Sequence, residues 1–345
     1  MSRYLITGGA GFFGTILKQY FLEKGAECVS IDLEPDDYQH PNFKAYQGDI
    51  NDNALMDEIF ATYKFDAIFH CAALLAHVKK DLKRLWHANV DGTENVCRYA
   101  LKNNIKKIIF ISSNCLWAKN FDEPVKETEI PNPVEIYGKS KLEGEKILLS
   151  HKDKINSIIF RSPTIMDEGR LGLLGILFEF IDENRKLPMV GDGKNTYQFI
   201  YAKDLAKAFE LALAADYTEI FNIGADNVKT FNEVYEYVIK KSGSKSRLIH
   251  FPRLPMIWAM KICFWLGISP LGPYQYKMIA SSFVFDTAKI KQKLGFKPTL
   301  TNEEMLLRAY EFYHHNKDEI LNRKNVSAHN SVAKMGVIKL LKWIM

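Results

Sequence analysis

The stretch VEIYGKSKLEGEKIL, residues 134–148, places Tyr137 four positions before Lys141. Four residues is about one helical turn, so a phenol and an ammonium project from the same face. A free phenol has a pKa of ~10, and a nearby cation favours its charged form. Lowering it to ~7 takes ~3 units, or ~4 kcal/mol of differential stabilisation. One lysine plus a cationic cofactor in a dry cleft supplies that much, and the pair is then an acid–base device. Without a cofactor site the same spacing is an ordinary surface helix. The elements around the pair must decide.

Those elements begin at the N-terminus. The β-type run RYLIT (3–7) meets GGAGFFG, which sets Gly8, Gly11 and Gly14 in the spacing GxxGxxG. A helical pattern through Phe13, Leu17, Phe21 and Leu22 ends near Gly25, and CVSID forms a second strand closing on Asp32. Strand, glycine turn, helix, strand and acid is the order of a dinucleotide site. The glycines allow a tight turn, backbone approach to a pyrophosphate and close helix packing. The helix N-terminus offers free N–H groups and a positive dipole end to phosphates. Asp32 stands 18 residues beyond Gly14. A carboxylate there accepts from the adenosine ribose hydroxyls and repels a 2′-phosphate, so NAD is expected over NADP.

The alternation continues. FKAYQGDI reads as a strand ending at Asp49 and Ile50, residues 53–63 as a helix, and FDAIFHCAA as a buried strand. Helical patterning then runs to Lys102, and KKIIFISS is a strand ending at Ser112 and Ser113. Strands alternating with helices give an α/β fold, a doubly wound parallel Rossmann sheet, with ligands beyond the strand C-termini. Gly8, Asp32, Asp49, His70 and Ser113 all fall there. Asp204 is read as beginning a helix that returns to this sheet. Thr230 and Thr301 precede helical patterns as N-caps.

Bulk composition narrows the class. The 345 residues are 47% hydrophobic and 25% charged, enough for a large core or two domains. Five scattered cysteines form no CxxC, and nine histidines show no HExxH spacing. Reduced thiols are expected, with no disulfide framework and no metal site. MSRYLITGG enters a strand at once and leaves no room for a signal peptide. The longest apolar stretch, residues 254–271, is interrupted by Pro255, Lys261 and Pro270, so no spanning helix is expected. These features imply a cytoplasmic protein. The net charge of +5 equals that of the tail after Glu319, which holds Arg323, Lys324, Lys334, Lys339, Lys342 and no acid. A balanced body excludes a broad nucleic-acid face.

Gly8/Gly11/Gly14, Asp32, GDI (48–50), HCAA (70–73), NVDGT (89–93), ISS (111–113) and YGKSK (137–141) occur in that order. Together they resemble the extended short-chain dehydrogenase/reductases, the NAD-dependent epimerase/dehydratase superfamily, over roughly residues 1–315. The resemblance implies NAD as cofactor, with contacts from the glycine turn and its Phe12 and Phe13. Asp32, Asp49, Ile50, Ala72, Ala73 and Asn89 are further contacts. It implies Tyr137 as general acid/base and Lys141 as the group that holds the nicotinamide ribose and depresses the tyrosine pKa. Ser113 becomes the hydroxyl that hydrogen-bonds the reacting oxygen. Residues 1–165, with 197–222 returning, then form the NAD-binding domain. A smaller, interleaved, mostly helical substrate domain takes 166–196 and 223–318, followed by a basic tail over 319–345. A homodimer is common in this superfamily, and nothing in the sequence demonstrates it.

The expected reaction is hydride removal from a secondary alcohol of a small molecule, a sugar derivative or cyclic alcohol, ending in epimerisation or oxidation. Asn114 and Cys115 stand where dehydratases of the superfamily carry Asp-Glu, which argues against sugar dehydration. Cys115 is read two ways: as a proton-swapping thiol, as in the GDP-mannose 3,5-epimerase and GDP-fucose synthase branch, or as a small packing residue. Thr164 occupies a place where an asparagine grips a diphosphate, and Tyr197 one where arginine is common. A second arginine place has only Lys277 nearby. These losses weaken the case for a UDP- or GDP-sugar. Residues 251–280, dense in Trp, Phe, Met and Leu, admit an ordinary helical core, an apolar substrate pocket or a membrane-facing lid. The alternatives are a hydroxysteroid- or isoprenoid-type alcohol dehydrogenase at a membrane surface, with a lipid-linked substrate, and a non-enzymatic NAD sensor. On a wheel of about 100° per residue, Ala333, Val337, Leu340, Leu341, Trp343 and Ile344 share an arc opposite Lys334, Lys339 and Lys342. Such a helix lies peripherally on the inner membrane surface or packs on protein.

Overall fold

The computed structural model describes residues 1–75, 81–267 and 271–322. The tail expected to be amphipathic therefore lies, beyond Asn322, outside the described residues. β1 (Arg3–Thr7) leads through the glycine turn to α1 (Phe12–Glu23), β2 (Glu27–Asp32), β3 (Phe43–Gln47), α2 (Asn53–Thr62) and β4 (Ala67–His70). α3 (Leu82–Trp86) runs through a π-helical turn, His87–Asp91, into α4 (Gly92–Lys102). β5 (Lys107–Ser113), α5 (Ile136–Ser150) and β6 (Asn156–Ser162) complete the first half.

The second half runs β7 (Thr164–Met166), α6 (Leu174–Asp182), β8 (Leu187–Val190), β9 (Phe199–Tyr201), α7 (Ala202–Ala212) and β10 (Glu219–Asn222). It continues with α8 (Phe231–Ser242), β11 (Leu248–Phe251), α9 (Arg253–Trp265), α10 (Pro273–Met278), α11 (Ala288–Leu294) and α12 (Asn302–His315). Thr230 and Thr301 each cap their helix in a reciprocal box with Glu233 and Glu304, satisfying otherwise orphaned N–H groups.

Seven parallel strands form the main sheet in the order β3-β2-β1-β4-β5-β6-β10. The chain leaves β1 first to one side and then to the other. The crevice at that reversal, beyond the strand C-termini, is where such sheets take ligands. β3 ends at Gln47, so Asp49 and Ile50 follow the strand instead of closing it.

Each face of the sheet is sealed by helices whose apolar stripes repeat at helical spacing. Leu17 and Phe21 of α1 pack with Leu205, Phe209 and Ala212 of α7 and with Phe69 and Phe160 of the sheet. On the other face Met56 and Ile59 of α2 join Val96 and Ala100 of α4. A separate cluster unites α6, α8 and α12 through Phe178, Phe180, Val238, Met305 and Tyr313. A fourth joins Leu116 and Trp117, after β5, to Tyr274, Met278, Phe283 and Phe285. That last cluster brings α10 over the end of β5. Among the described residues no helix is long and apolar enough to cross a membrane, and no group of His, Cys, Asp and Glu is placed to hold a metal ion.

Candidate active site

A cleft of about 500 Å³ opens along the C-terminal edge of the sheet. Beside β1 and β2 it is lined by Gly8, Gly11, Phe12, Phe13 and Gly14, and by Asp32, Asp49 and Ile50. Beyond β4 and β5 it is lined by Ala72, Ala73, Ser113, Tyr137 and Lys141. Asn114, Cys115, Thr164 and Tyr197 continue the wall past β6. Residues from the two ends of the chain thus share one cavity.

The glycine turn is shaped by what it cannot hold. Gly8 has φ +76°, and a Cβ there would stand 2.7 Å from the Ala72 nitrogen. A Cβ on Gly14 would meet the Gly8 oxygen at 2.0 Å, so α1 packs directly on the turn. Gly11 starts α1 without any side-chain cap, leaving the first-turn N–H groups to the cleft, a setting that suits phosphate. Asp32 Oδ2 accepts from the Ala10 N–H at 3.0 Å and Oδ1 from the Glu34 N–H at 3.1 Å. Burial raises the Asp32 pKa, and those backbone donors oppose the rise.

Asn89 is placed differently from expectation. It is buried and does not line the cleft. Its Oδ1 accepts from the Leu74 N–H at 2.7 Å, and its Nδ2 donates to the Leu74 carbonyl at 3.0 Å and to Ser140 Oγ at 2.9 Å. The π-turn at residues 87–91 inserts an extra residue into the helix, and it holds Asn89 behind the wall. There the side chain ties the loop after β4 to α5.

α5 carries Tyr137, Lys141 and Glu145 at successive turns. Gly138 lets the helix approach the turn after β5: a Cβ there would lie 2.2 Å from the Cys115 oxygen. Lys141 Nζ donates to the Ile111 carbonyl at 2.9 Å and lies 4.6 Å from the Phe110 ring centroid. Burial lowers its pKa to about 8. Burial raises the Tyr137 phenol above its ordinary value, the nearby Cys115 sulfur adds to the rise, and Ser113 and the Arg170 cation oppose it. The Arg170 cation acts on the phenol, and burial outweighs it. Ser113 Oγ also accepts from the Cys115 N–H at 3.1 Å.

Glu145 accepts from Ser112 Oγ at 2.5 Å and from Arg161 Nε and Nη2 at 3.0 and 2.7 Å. The pair is almost wholly buried, and it clamps α5 to β5 and β6. The four residues read from sequence as substrate contacts come together. Asn114 Nδ2 donates to the Tyr197 hydroxyl at 2.6 Å, and Cys115 and Thr164 line the same wall. Burial pushes the Cys115 thiol up to about 11, so it is neutral near pH 7.

Two residues escaped sequence reading. Arg170 lines the cleft with its guanidinium carbon 5.7 Å from the Phe12 ring centroid, facing both Tyr137 and Tyr197. Its sequence signal is local only: it lies in a turn between Gly169 and Gly172, both at positive φ. Tyr274, from α10, brings its hydroxyl to 3.4 Å from that of Tyr197 and lines the cleft with Cys115. Nothing in the aromatic-rich stretch around it distinguishes it from a core residue. Lys277, the nearby cation, is not part of the cleft wall.

Residues 4–224 match the NAD dependent epimerase/dehydratase family. The chain belongs to that family. This epimerase/dehydratase-family enzyme uses NAD. Its cleft fits that cofactor: a glycine cradle that any Cβ would fill, an uncapped helix start and a carboxylate at the end of β2.

The enzyme is 33% identical over 344 residues to the uncharacterized protein y4nG of Sinorhizobium fredii, covering 99% of this chain and 86% of that one. It is 24% identical to a UDP-glucuronate 4-epimerase of Thermodesulfobacterium geofontis, covering 94% of this chain and all of the relative. The crystal structure of UDP-glucose 4-epimerase from Thermotoga maritima with UDP-glucose shares the fold, with a TM-score of 0.75 and 24% identity over 91% of this chain and 99% of that one.

Proposed function

We propose that the enzyme removes hydride from a secondary alcohol of a nucleotide-linked sugar and completes an epimerisation or an oxidation. The observation that carries this reading is the meeting of Ser113, Tyr137 and Lys141 in the same cleft as the glycine turn and Asp32. The glycine turn and the α1 N-terminus would hold the pyrophosphate, Asp32 the adenosine ribose, and Lys141 the nicotinamide ribose. When bound, NAD supplies the hydride acceptor. As the phenolate, which Lys141, Arg170 and the cationic nicotinamide would favour, Tyr137 would take the hydroxyl proton, and Ser113 would hydrogen-bond the reacting oxygen. Relatives named for UDP- and dTDP-sugars support the substrate class. The division into residues 1–165 with 197–222 and residues 166–196 with 223–318 is proposed with it, supported by the separate α6–α8–α12 core. Asn114 and Cys115 after Ser113 leave no carboxyl pair for dehydration.

A second reading, oxidation of an apolar cyclic or isoprenoid alcohol, draws on the aromatic wall of Tyr197 and Tyr274. One assay separates them. Purified enzyme and NAD are followed at the NADH absorbance band against nucleotide sugars, free polyols and sterol or isoprenoid alcohols, with Tyr137→Phe as control. Net NADH from one class, absent in the variant, names a dehydrogenase and its substrate. No net NADH, with an epimer seen by NMR, names an epimerase. NAD binding without turnover of any class would reject both in favour of a sensor.

A further inference from the structure

α9 is a helix of 13 residues, and none of them is buried. Leu254, Trp258, Ile262, Trp265 and Leu266 are 71%, 63%, 55%, 80% and 56% exposed. Their spacing of four, four and three or four places them on one stripe along the helix. An isolated helix of this length is marginal in water and depends on a covered apolar face. An exposed apolar stripe of this kind marks a binding surface.

Charge selects what covers it. From Tyr237 to Phe285 the chain holds no aspartate or glutamate, but it holds Lys240, Lys241, Lys245, Arg247, Arg253, Lys261 and Lys277. Lys261 Nζ stands 4.8 Å from the Trp258 ring centroid, on the rim of the stripe. A second copy docked face to face would bring two cationic surfaces together. The chain's own tail, basic and without acid after Glu319, carries the same sign. An anionic lipid surface has the opposite charge and the apolar depth. Tryptophan favours the level of the headgroups, and lysine reaches the phosphates from an apolar stem. α9 is too short to span a bilayer, which takes about 20 residues, and suits a helix lying in the interface.

We propose that α9 is an interfacial helix that docks the enzyme on an anionic bilayer, with its Leu254–Trp258–Ile262–Trp265 stripe in the lipid and Lys261 at the phosphates. Away from the stripe, α9 adjoins the element that closes the cleft. Phe264 of α9 meets Tyr276 of α10 edge-on at 6.3 Å, and α10 carries Tyr274 into the cleft wall.

The test uses the full chain and vesicles of phosphatidylcholine, with and without phosphatidylglycerol, read by co-sedimentation and by tryptophan emission. The wild type is expected to bind the anionic vesicles with a blue-shifted emission, more weakly as salt rises. Trp258→Glu with Trp265→Glu is expected to cut binding by about tenfold or more, since a charge replaces buried apolar area. Its NAD affinity, unchanged, shows that the fold is intact. Lys261→Glu is expected to weaken binding to anionic vesicles. Three outcomes overturn the proposal: no vesicle binding by the wild type, equal binding to neutral vesicles, or full binding by the double tryptophan variant. A wild-type dimer that this variant dissociates also overturns it, in favour of a second copy.

Discussion

The Arg170 guanidinium faces the Tyr137 phenol and offsets part of the burial that lifts that phenol above its ordinary value. Lys141, one turn along α5, donates one of its three N–H groups to the Ile111 carbonyl. The free enzyme therefore holds Tyr137 as a neutral phenol near pH 7. Arg170→Met removes the opposing cation and lifts the phenol further. The pH at which oxidative kcat/KM rises should move upward, with activity at neutral pH down by about tenfold, the factor carried by one unit of pKa. Arg170→Lys should retain part of the effect. A pH–rate profile unmoved by Arg170→Met would show that the guanidinium does not act on the phenol.

In the proposed reading Asp32 holds the adenosine ribose and sets the choice of dinucleotide. Hydrogen bonds to a charged group contribute about 1.5–3 kcal/mol, so Asp32→Ala should weaken NAD binding by about 10- to 100-fold. The same change removes the repulsion of a 2′-phosphate, so NADP binding should hold or improve. Titration of both cofactors against wild type and variant checks this. A parallel loss of both would mean that Asp32 serves only the fold of the glycine turn.

His70 makes stability depend on acid. Its ring is buried between Thr7 and Thr93. Thr93 Oγ1 donates to the Asn89 carbonyl at 2.7 Å, so it accepts from the His70 Nε2–H at 2.9 Å. Thr7 Oγ1 then donates to Nδ1 at 2.7 Å. Burial lowers the imidazole from 6.5 to about 3. Between those values the unfolded chain binds more protons, so stability is complete above the upper value and falls as pH drops through the interval. One proton gives a slope of at most about 1.4 kcal/mol per pH unit. His70→Asn should lose that part of the slope. Urea midpoints of both proteins at about pH 7 and about pH 5 measure it.

The Glu145–Arg161 pair couples the catalytic helix to the sheet. Glu145→Gln leaves Arg161 buried without a counter-charge and should cost about 3–5 kcal/mol. Glu145→Leu with Arg161→Met, which removes both charges, should restore most of that loss. Urea unfolding of the single and the double variant decides it. Equal losses in single and double variants would show that packing, not charge, is at stake.

The dinucleotide half of the molecule was legible because its determinants are local. GxxGxxG, the acid at the end of β2 and the alternation of apolar runs each act within a few residues, and the order of elements restricts a parallel sheet to few arrangements. Tyr137 and Lys141 were legible for the same reason: one helical turn joins them. Asn89 is buried and bonded to Leu74 and Ser140, a tie between distant segments that no residue in HANVD announces. Trp258 and Trp265 read first as ordinary helical core and are exposed instead, since apolar content alone does not say what lies opposite.

Sequence by itself determined the fold class, the glycine turn and the spacing of Tyr137 and Lys141, all set by backbone geometry over short range. Tertiary structure alone decided that Arg170, Tyr197 and Tyr274 close on Cys115 and Tyr137. These residues lie on separate segments after β7, before β9 and in α10. They meet only because the Trp117–Phe283–Phe285 cluster draws α10 over the end of β5, and burial there, more than any one charge, sets the protonation of the site.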